Sequence, residues 1–260
     1  MNNLEPHHDL AFLVVGGPTV IIDIEGVRFV TDPTFDEPTD YGLLRKIAGP
    51  SIPSSCVADA DVVLVSHADH VDNLDHSGKT FALAANRLLT NPGSAAKLGS
   101  KAQGLAPWES ISVAHDITVT AVPAIHGPAD GEPDESGFVN CEVTGFVIET
   151  PQTRLYITGD NTSFECIGQI KKHFESFDYV VMHAGRATVA EKFGGRPLSL
   201  SAERASAAGQ LLESPHIIPV HQSGWAHFVD GPGATIKAFK DAGILDRLDQ
   251  TPEGQWSVIV

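Results

Sequence analysis

Long apolar segments are missing from this sequence. No run of about 20 apolar residues, the length that a membrane-spanning helix needs, occurs in the chain. The apolar segment 10–15 has no Lys or Arg before it, and Gly16, Gly17 and Pro18 end it. It therefore predicts a strand that enters a hairpin rather than a signal peptide. We expect no membrane-spanning segment.

Basic residues are also scarce. The chain has 17 Lys and Arg residues and 33 Asp and Glu residues, which gives a formal net charge of −16. The Lys and Arg residues form no stripe of the kind that grips a phosphate backbone. The composition thus argues against a nucleic-acid partner and favours a small-molecule substrate. The oligomeric state stays open, with a homo-oligomer among the alternatives.

Cysteine is rare as well, since the chain has only Cys56, Cys141 and Cys166. They are far apart and form no C-x-x-C pair, so a disulfide framework is not expected and a reducing, cytoplasmic location fits. No Ser/Gly-rich or Pro-rich linker divides the 260 residues, of which 42% are hydrophobic. We therefore expect one domain that spans residues 1–260.

The most informative segment that is present covers residues 66–73, directly after the apolar run 62–65. Its sequence is Ser-His-Ala-Asp-His-Val-Asp-Asn, with two histidines and two aspartates in six residues: His67, Asp69, His70 and Asp72. Imidazole and carboxylate groups are the ligands that a catalytic zinc or a similar divalent ion takes in proteins. The alternative is a polar turn that happens to contain two histidines.

Four later segments repeat the pattern of an apolar strand that ends at a metal-type residue. These residues are His126, Asp160, His183 and His221. Strand ends at one edge of a sheet converge in space, so the pattern predicts a metal pocket at that edge. His183 either contacts the metal ligands from behind or contacts the substrate, or it is a histidine packed in the core. His227, six residues after His221, is a candidate for the rim of the pocket.

With these motifs the sequence resembles the metallo-β-lactamase superfamily, and within it the lactonase-like branch of small cytoplasmic metal-dependent hydrolases. That family has an H-x-H-x-D-H signature after a strand, then a His, a bridging Asp in a strand-Gly-Asp turn and a last His. The matching residues here are His70, Asp72, His126, Asp160 and His221. Asp32, after the segment 27–31, matches an early strand-Asp-Pro turn below the site.

The signature is not matched throughout. Ala68 stands where the first His should be, and Asn73 stands where the last one should be. Either a one-residue bulge brings His67 to the metal, or Asp69 turns inward and takes that place. An Asn amide is a poor ligand for zinc, although harder ions accept it. The resemblance therefore implies one complete metal position and a second, weaker one.

The resemblance also implies the fold class, which is α/β, a four-layer αββα sandwich of two mixed sheets with helices on the outer faces. Sequence patterns predict strands and helices along the whole chain. The strands cover residues 10–15, 19–24, 27–31, 62–65, 110–113, 117–122, 143–149, 155–158, 179–182, 217–220 and 257–260. The helices cover residues 92–98, 164–174, 201–212 and 234–242.

These features predict a metal-dependent hydrolase of a small-molecule ester, lactone or phosphoester. One or two divalent ions, with zinc and manganese favoured, would lower the pKa of a water molecule to about 7. Asp72 would orient this water or take its proton, and Arg186 suits a carboxylate or phosphate on the substrate. The alternatives are a non-hydrolytic redox member of the family and a binding protein whose metal site has decayed.

Overall fold

The fold contains two β-sheets, one in each of two compact units. The computed structural model describes residues 7–133, 137 and 140–259. The chain divides into two compact units. The first unit contains Met1–Gly104, Gly224–Ala226 and Gln250–Val260, and the second contains Leu105–Ser223 and His227–Asp249.

The described part of the chain forms the following strands and helices. The strands are β1 Leu10–Gly16, β2 Thr19–Ile24, β3 Val27–Thr31, β4 Val62–Val65, β5 Arg87–Thr90, β6 Ala102–Gly104, β7 Ser110–Ala114, β8 Ile117–Pro123, β9 Thr144–Glu149, β10 Arg154–Ile157, β11 Tyr179–His183, β12 His216–Val220 and β13 Trp256–Val258. The helices are α1 His76–Ala84, α2 Pro92–Leu98, α3 Phe164–Phe174, α4 Ala202–Leu212 and α5 Pro232–Asp241.

The first unit contains a mixed sheet with the strand order β13-β1-β2-β3-β4-β5-β6. The pairs from β3 to β6 are parallel, and the pairs from β13 to β3 are antiparallel. β2 and β4 are buried along their whole length. The continuous apolar run that identified β4 is typical of a parallel strand that is covered on both faces.

The second unit contains a mixed sheet with the order β12-β11-β10-β9-β8-β7. Strands β10, β11 and β12 are parallel, whereas β7 to β10 pair in antiparallel fashion. Helices α3, α4 and α5 pack on this sheet through buried residues such as Ile170, Leu212 and Phe239. The prediction of two mixed sheets with helices is therefore confirmed.

Two helices begin after residues that are typical of helix N-caps. Asn91 caps α2 by accepting a hydrogen bond from the Ser94 amide, and Pro92 occupies the first turn. Ser201 caps α4 in the same way, through the amide of Arg204. The last strand ends at Val258, and Val260, where it was expected to end, lies outside the described residues. Sequence patterns missed α1, β5 and β6.

This topology gives each unit one edge at which parallel strands end. In the first unit these are the carboxyl ends of β3, β4 and β5, and in the second those of β10, β11 and β12. β8 runs in the same direction as β10, because both are antiparallel to β9. Among the described residues, no helix is long and apolar enough to cross a membrane.

Candidate metal centre

The first group of donors follows β4 in the first unit. His67 is fully buried, and its Nε2 lies 3.0 Å from Nδ1 of His70. Nδ1 of His67 lies 3.0 Å from the hydroxyl oxygen of Ser66. The two rings meet edge to face, with centroids 5.0 Å apart. The turn after β4 thus brings His67 and His70 together and fixes the orientation of the His67 ring.

Asp32 braces this turn from the end of β3. Its Oδ1 accepts a hydrogen bond of 2.6 Å from the Ser66 amide, and its φ of 36° is unusual for a non-glycine residue. Nδ2 of Asn73 lies 3.4 Å from Oδ2 of Asp32 and 3.4 Å from the Ser66 hydroxyl. Because the NH₂ group of Asn73 faces Asp32, its carbonyl oxygen is directed away from that carboxylate.

Asp69 and Asp72 have different environments within the same turn. Asp69 is exposed, and its carboxylate pairs with the ammonium group of Lys97. Asp72 is buried, with 4% of its surface exposed. The His70 carbonyl accepts hydrogen bonds from the amides of Asn73 and Leu74, which closes the turn around Asp72.

In the second unit, Asp160 lies between two buried histidines. Its Oδ2 is 3.6 Å from Nε2 of His126, and its Oδ1 is 3.4 Å from Nε2 of His221. Both separations exceed the 2.7–3.2 Å of an ordinary N–H···O hydrogen bond. Two ligand atoms that share one tetrahedral zinc at about 2.0–2.2 Å lie roughly 3.4 Å apart. The donor set therefore fits a divalent ion beside each oxygen of Asp160.

Backbone contacts hold both histidines in place. Nδ1 of His126 donates a hydrogen bond of 2.6 Å to the Leu198 carbonyl, so in the neutral ring Nε2 carries the lone pair. His221 has a φ of 63°, a conformation that non-glycine residues rarely adopt. A Cβ atom at Gly185 would lie 1.6 Å from the His221 carbonyl oxygen, so only glycine permits this approach.

His183, His227 and Arg186 also belong to the second unit. His183 is fully buried, its Nδ1 is 3.2 Å from the Thr158 hydroxyl, and its ring centroid is 5.4 Å from that of His221. His227 is half-buried and contacts Phe228, whose ring also lies 3.9 Å from His221. The Arg186 side chain is 47% exposed.

Sequence reasoning missed one candidate donor of this unit, Cys141. Its Sγ and a ring nitrogen of His126 lie within 4.8 Å of each other. Cys141 is half-buried and belongs to no strand or helix. It follows no apolar strand and has no partner cysteine nearby in the sequence, so no local signal marks it. Only the folded chain brings it to His126.

Comparison with known proteins identifies the family of this chain. The beta-lactamase superfamily domain matches residues 27–222 of this chain. A UPF0173 metal-dependent hydrolase of Methanosphaerula palustris is 27% identical over 169 residues, which cover 64% of this chain and 70% of the relative. The N-acyl-phosphatidylethanolamine-hydrolyzing phospholipase D 1 of Caenorhabditis elegans is 29% identical over 177 residues, covering 61% of this chain and 48% of the relative. The chain thus matches about half the length of that second relative.

The structural comparison agrees with the family match. An isothiocyanate hydrolase from Delia radicum gut bacteria superposes with a TM-score of 0.80 and 17% identity, covering 96% of this chain and 98% of the other. At that identity the similarity shows the fold, which is the α/β fold of the metallo-β-lactamase superfamily. The expected resemblance is therefore confirmed: the chain belongs to the beta-lactamase superfamily domain family and is a metal-dependent hydrolase of that superfamily.

Proposed function

We propose that this enzyme hydrolyses a small-molecule ester, lactone or phosphoester at a centre of one or two divalent ions. The observation that carries the proposal is the position of Asp160. Each of its oxygens faces the Nε2 of a different buried histidine, at 3.6 Å for His126 and 3.4 Å for His221. A carboxylate in this position can bridge two ions or hold one ion together with either imidazole.

The proposed ligands come from both units of the chain. They are His67, His70, Asp72, His126, Asp160 and His221. Support for combining the two groups comes from their order in the sequence, because the family match at residues 27–222 includes all of them. We accordingly propose that residues 1–260 act as a single hydrolase domain.

His67, rather than Asp69, is the proposed donor beside His70. Lys97 pairs with the Asp69 carboxylate, and leaving that pair would cost Asp69 its counter-ion. His67 is already buried, with Nε2 3.0 Å from Nδ1 of His70. This choice corresponds to the one-residue bulge that would bring His67 to the metal.

The chain's own residues would bind and orient the reactants. When bound, a divalent ion lowers the pKa of a coordinated water to about 7 and polarises the bond to be cleaved. Asp72 orients the attacking water and accepts its proton. Asp32 keeps the Ser66–His67 segment in position through its hydrogen bond to the Ser66 amide. Arg186, with a half-exposed guanidinium group, would bind a carboxylate or phosphate of the substrate.

The chemistry of the chain narrows the substrate class only partly. The net charge of −16 disfavours nucleic acids and membrane surfaces rich in anionic lipids, and leaves small molecules as the proposed substrates. The Caenorhabditis elegans relative is named for hydrolysis of a phospholipid, which keeps phosphodiesters beside lactones and carboxyl esters. Zinc and manganese are the proposed ions, and a cytoplasmic location is proposed from the cysteine content.

A combined metal analysis and substrate screen tests the proposed function. The purified protein is analysed for zinc, manganese and iron, then assayed with chromogenic lactones, carboxyl esters and phosphodiesters before and after chelation. We expect bound zinc or manganese, and hydrolysis of one class that chelation abolishes and the metal restores. Iron with no hydrolysis would support the redox alternative. A folded protein that binds no metal would support a decayed site.

The second metal position should be strengthened by Asn73→His. Asn73 is fully buried next to Asp32 and takes the place of a ligand histidine, and imidazole binds borderline ions better than a neutral amide does. We expect the metal content to rise from about one ion towards two per chain, with slower loss of the second ion to a chelator. The matched control, Asn73→Ala, removes the amide without adding a ligand and should stay near one ion. A folded Asn73→His protein with unchanged metal content would show that Asn73 does not face the centre.

A further inference from the structure

We propose that Cys141 is a sulfur ligand of the ion that His126 binds. This inference rests on the proposed function, because it concerns the same metal centre. It adds a thiolate to a donor set that the sequence suggested to be nitrogen and oxygen alone.

Two other donors of the second unit, a thiol and a carboxylate, lie near His126. Cys141 Sγ lies within 4.8 Å of a His126 ring nitrogen, and Asp160 Oδ2 lies 3.6 Å from His126 Nε2. With Zn–S distances of about 2.3 Å and Zn–N distances of about 2.0–2.1 Å, two such atoms on one tetrahedral ion lie about 3.6 Å apart, so the pair must close by about 1.2 Å at most. A small side-chain movement therefore brings Sγ and the imidazole onto one ion.

His126 and Asp160 are positioned independently of the cysteine. The hydrogen bond from His126 Nδ1 to the Leu198 carbonyl directs Nε2 towards Asp160, and only 3% of His126 is exposed. Cys141 is half-buried, and its Sγ lies within 4.8 Å of a ring nitrogen of His126. The cysteine thus joins an existing His–Asp cluster rather than forming a site alone.

The other two cysteines are in different surroundings. Cys166 is buried on α3, where burial raises the pKa of its thiol and so disfavours the thiolate that binds metals. Cys56 belongs to the first unit, in a short 3₁₀ helix, and is half-buried like Cys141. Cys56 is therefore the matched control for substitutions at Cys141.

A sulfur ligand has a direct consequence for metal choice. Thiolates favour zinc and other soft or borderline ions, whereas manganese prefers carboxylate, carbonyl and water oxygens. A centre that includes Cys141 should therefore select zinc over manganese. Cys141→Ser, which replaces the sulfur with a hydroxyl, should reduce the preference for zinc over manganese.

Cobalt substitution tests the inference without depending on turnover. The metal-free protein is loaded with Co²⁺, and the near-ultraviolet absorption is examined for the charge-transfer band that a thiolate–Co²⁺ bond produces. We expect the band in the parent protein and in Cys56→Ser, and its loss in Cys141→Ser with Co²⁺ still bound. Zinc affinity of Cys141→Ser should fall at least about tenfold, because even the partners of metal ligands contribute about 10–100-fold.

Alkylation provides a second measurement that needs no variant. In the parent protein, bound zinc should slow modification of Cys141 by iodoacetamide, and leave the modification rate of Cys56 unchanged. Co²⁺ bound with no thiolate band, or zinc-loaded Cys141 that reacts as fast as the metal-free form, would overturn the inference and leave the proposed metal centre standing. A folded protein that binds neither ion would instead contradict the proposed function itself.

Discussion

Replacing Asp72 with Asn is expected to lower turnover by roughly 10²–10⁴-fold, the usual contribution of a positioned general base. Asp72 is buried in the turn that leaves β4, two residues after the proposed ligand His70. The amide keeps the shape of the side chain but cannot accept the proton of the attacking water. Steady-state kinetics on the substrate class found in the screen measure the change in turnover. Metal content is determined on the same samples.

Asp69→Asn is the matched control for this change. Asp69 lies in the same turn, but it is exposed and its carboxylate pairs with Lys97. An exposed ion pair contributes about 0–1 kcal/mol to stability, so this variant should keep nearly all of its turnover. The metal content of Asp72→Asn separates two roles of Asp72. A modest decrease in bound metal indicates that Asp72 is mainly a base, and a sharp decrease indicates that it is mainly a ligand. Full turnover of a folded, metal-loaded Asp72→Asn protein would refute the proposed role.

The strands that carry the donors were predictable because their signal is local. A continuous apolar run predicts β4, and the same pattern predicts β10, β11 and β12 with Asp160, His183 and His221 at or after their ends. The β10–β12 ends share one edge because these strands are parallel. The patterns of these strands therefore predict that Asp160 and His221 approach each other at this edge, as they do at 3.4 Å.

Helix α1 could not be predicted in this way, because tertiary contacts define it. Its residues form only a weak apolar stripe, and Gly78 lies in its first turn. A Cβ atom at Gly78 would lie 1.7 Å from the Pro33 carbonyl oxygen, so the glycine permits a close approach to a distant segment. The N-cap Asp75 also accepts hydrogen bonds from the Phe35 and Asp36 amides and pairs with Lys46. None of these partners is visible from the helix sequence.

The same limit applies to the individual donors. The sequence left His67 and Asp69 as alternatives, because a one-residue insertion shifts which side chain faces inward. The pairing of Asp69 with Lys97 depends on α2, which carries Lys97, and the burial of His67 is a property of the folded chain. Cys141 depends on a segment without regular structure that reaches His126. Contacts of this kind arise from the packed chain, and no motif encodes them.

Replacing His126 with Ala is expected to remove most of the bound metal. His126 Nε2 is the nitrogen that faces Asp160 Oδ2 at 3.6 Å, and Ala supplies no ligand atom in its place. The Leu198 carbonyl also loses its hydrogen bond from Nδ1, which costs about 1–3 kcal/mol for a buried group, so circular dichroism must first establish that the variant is folded. Metal content per chain then measures the effect, and added imidazole should restore part of the bound metal by filling the space left by the side chain.

The control is His115→Ala. The side chain of His115 is 94% exposed, so this variant should leave metal content unchanged. A folded His126→Ala protein with its full complement of metal would remove His126 from the centre, and with it the argument that places Asp160 between two ligand histidines.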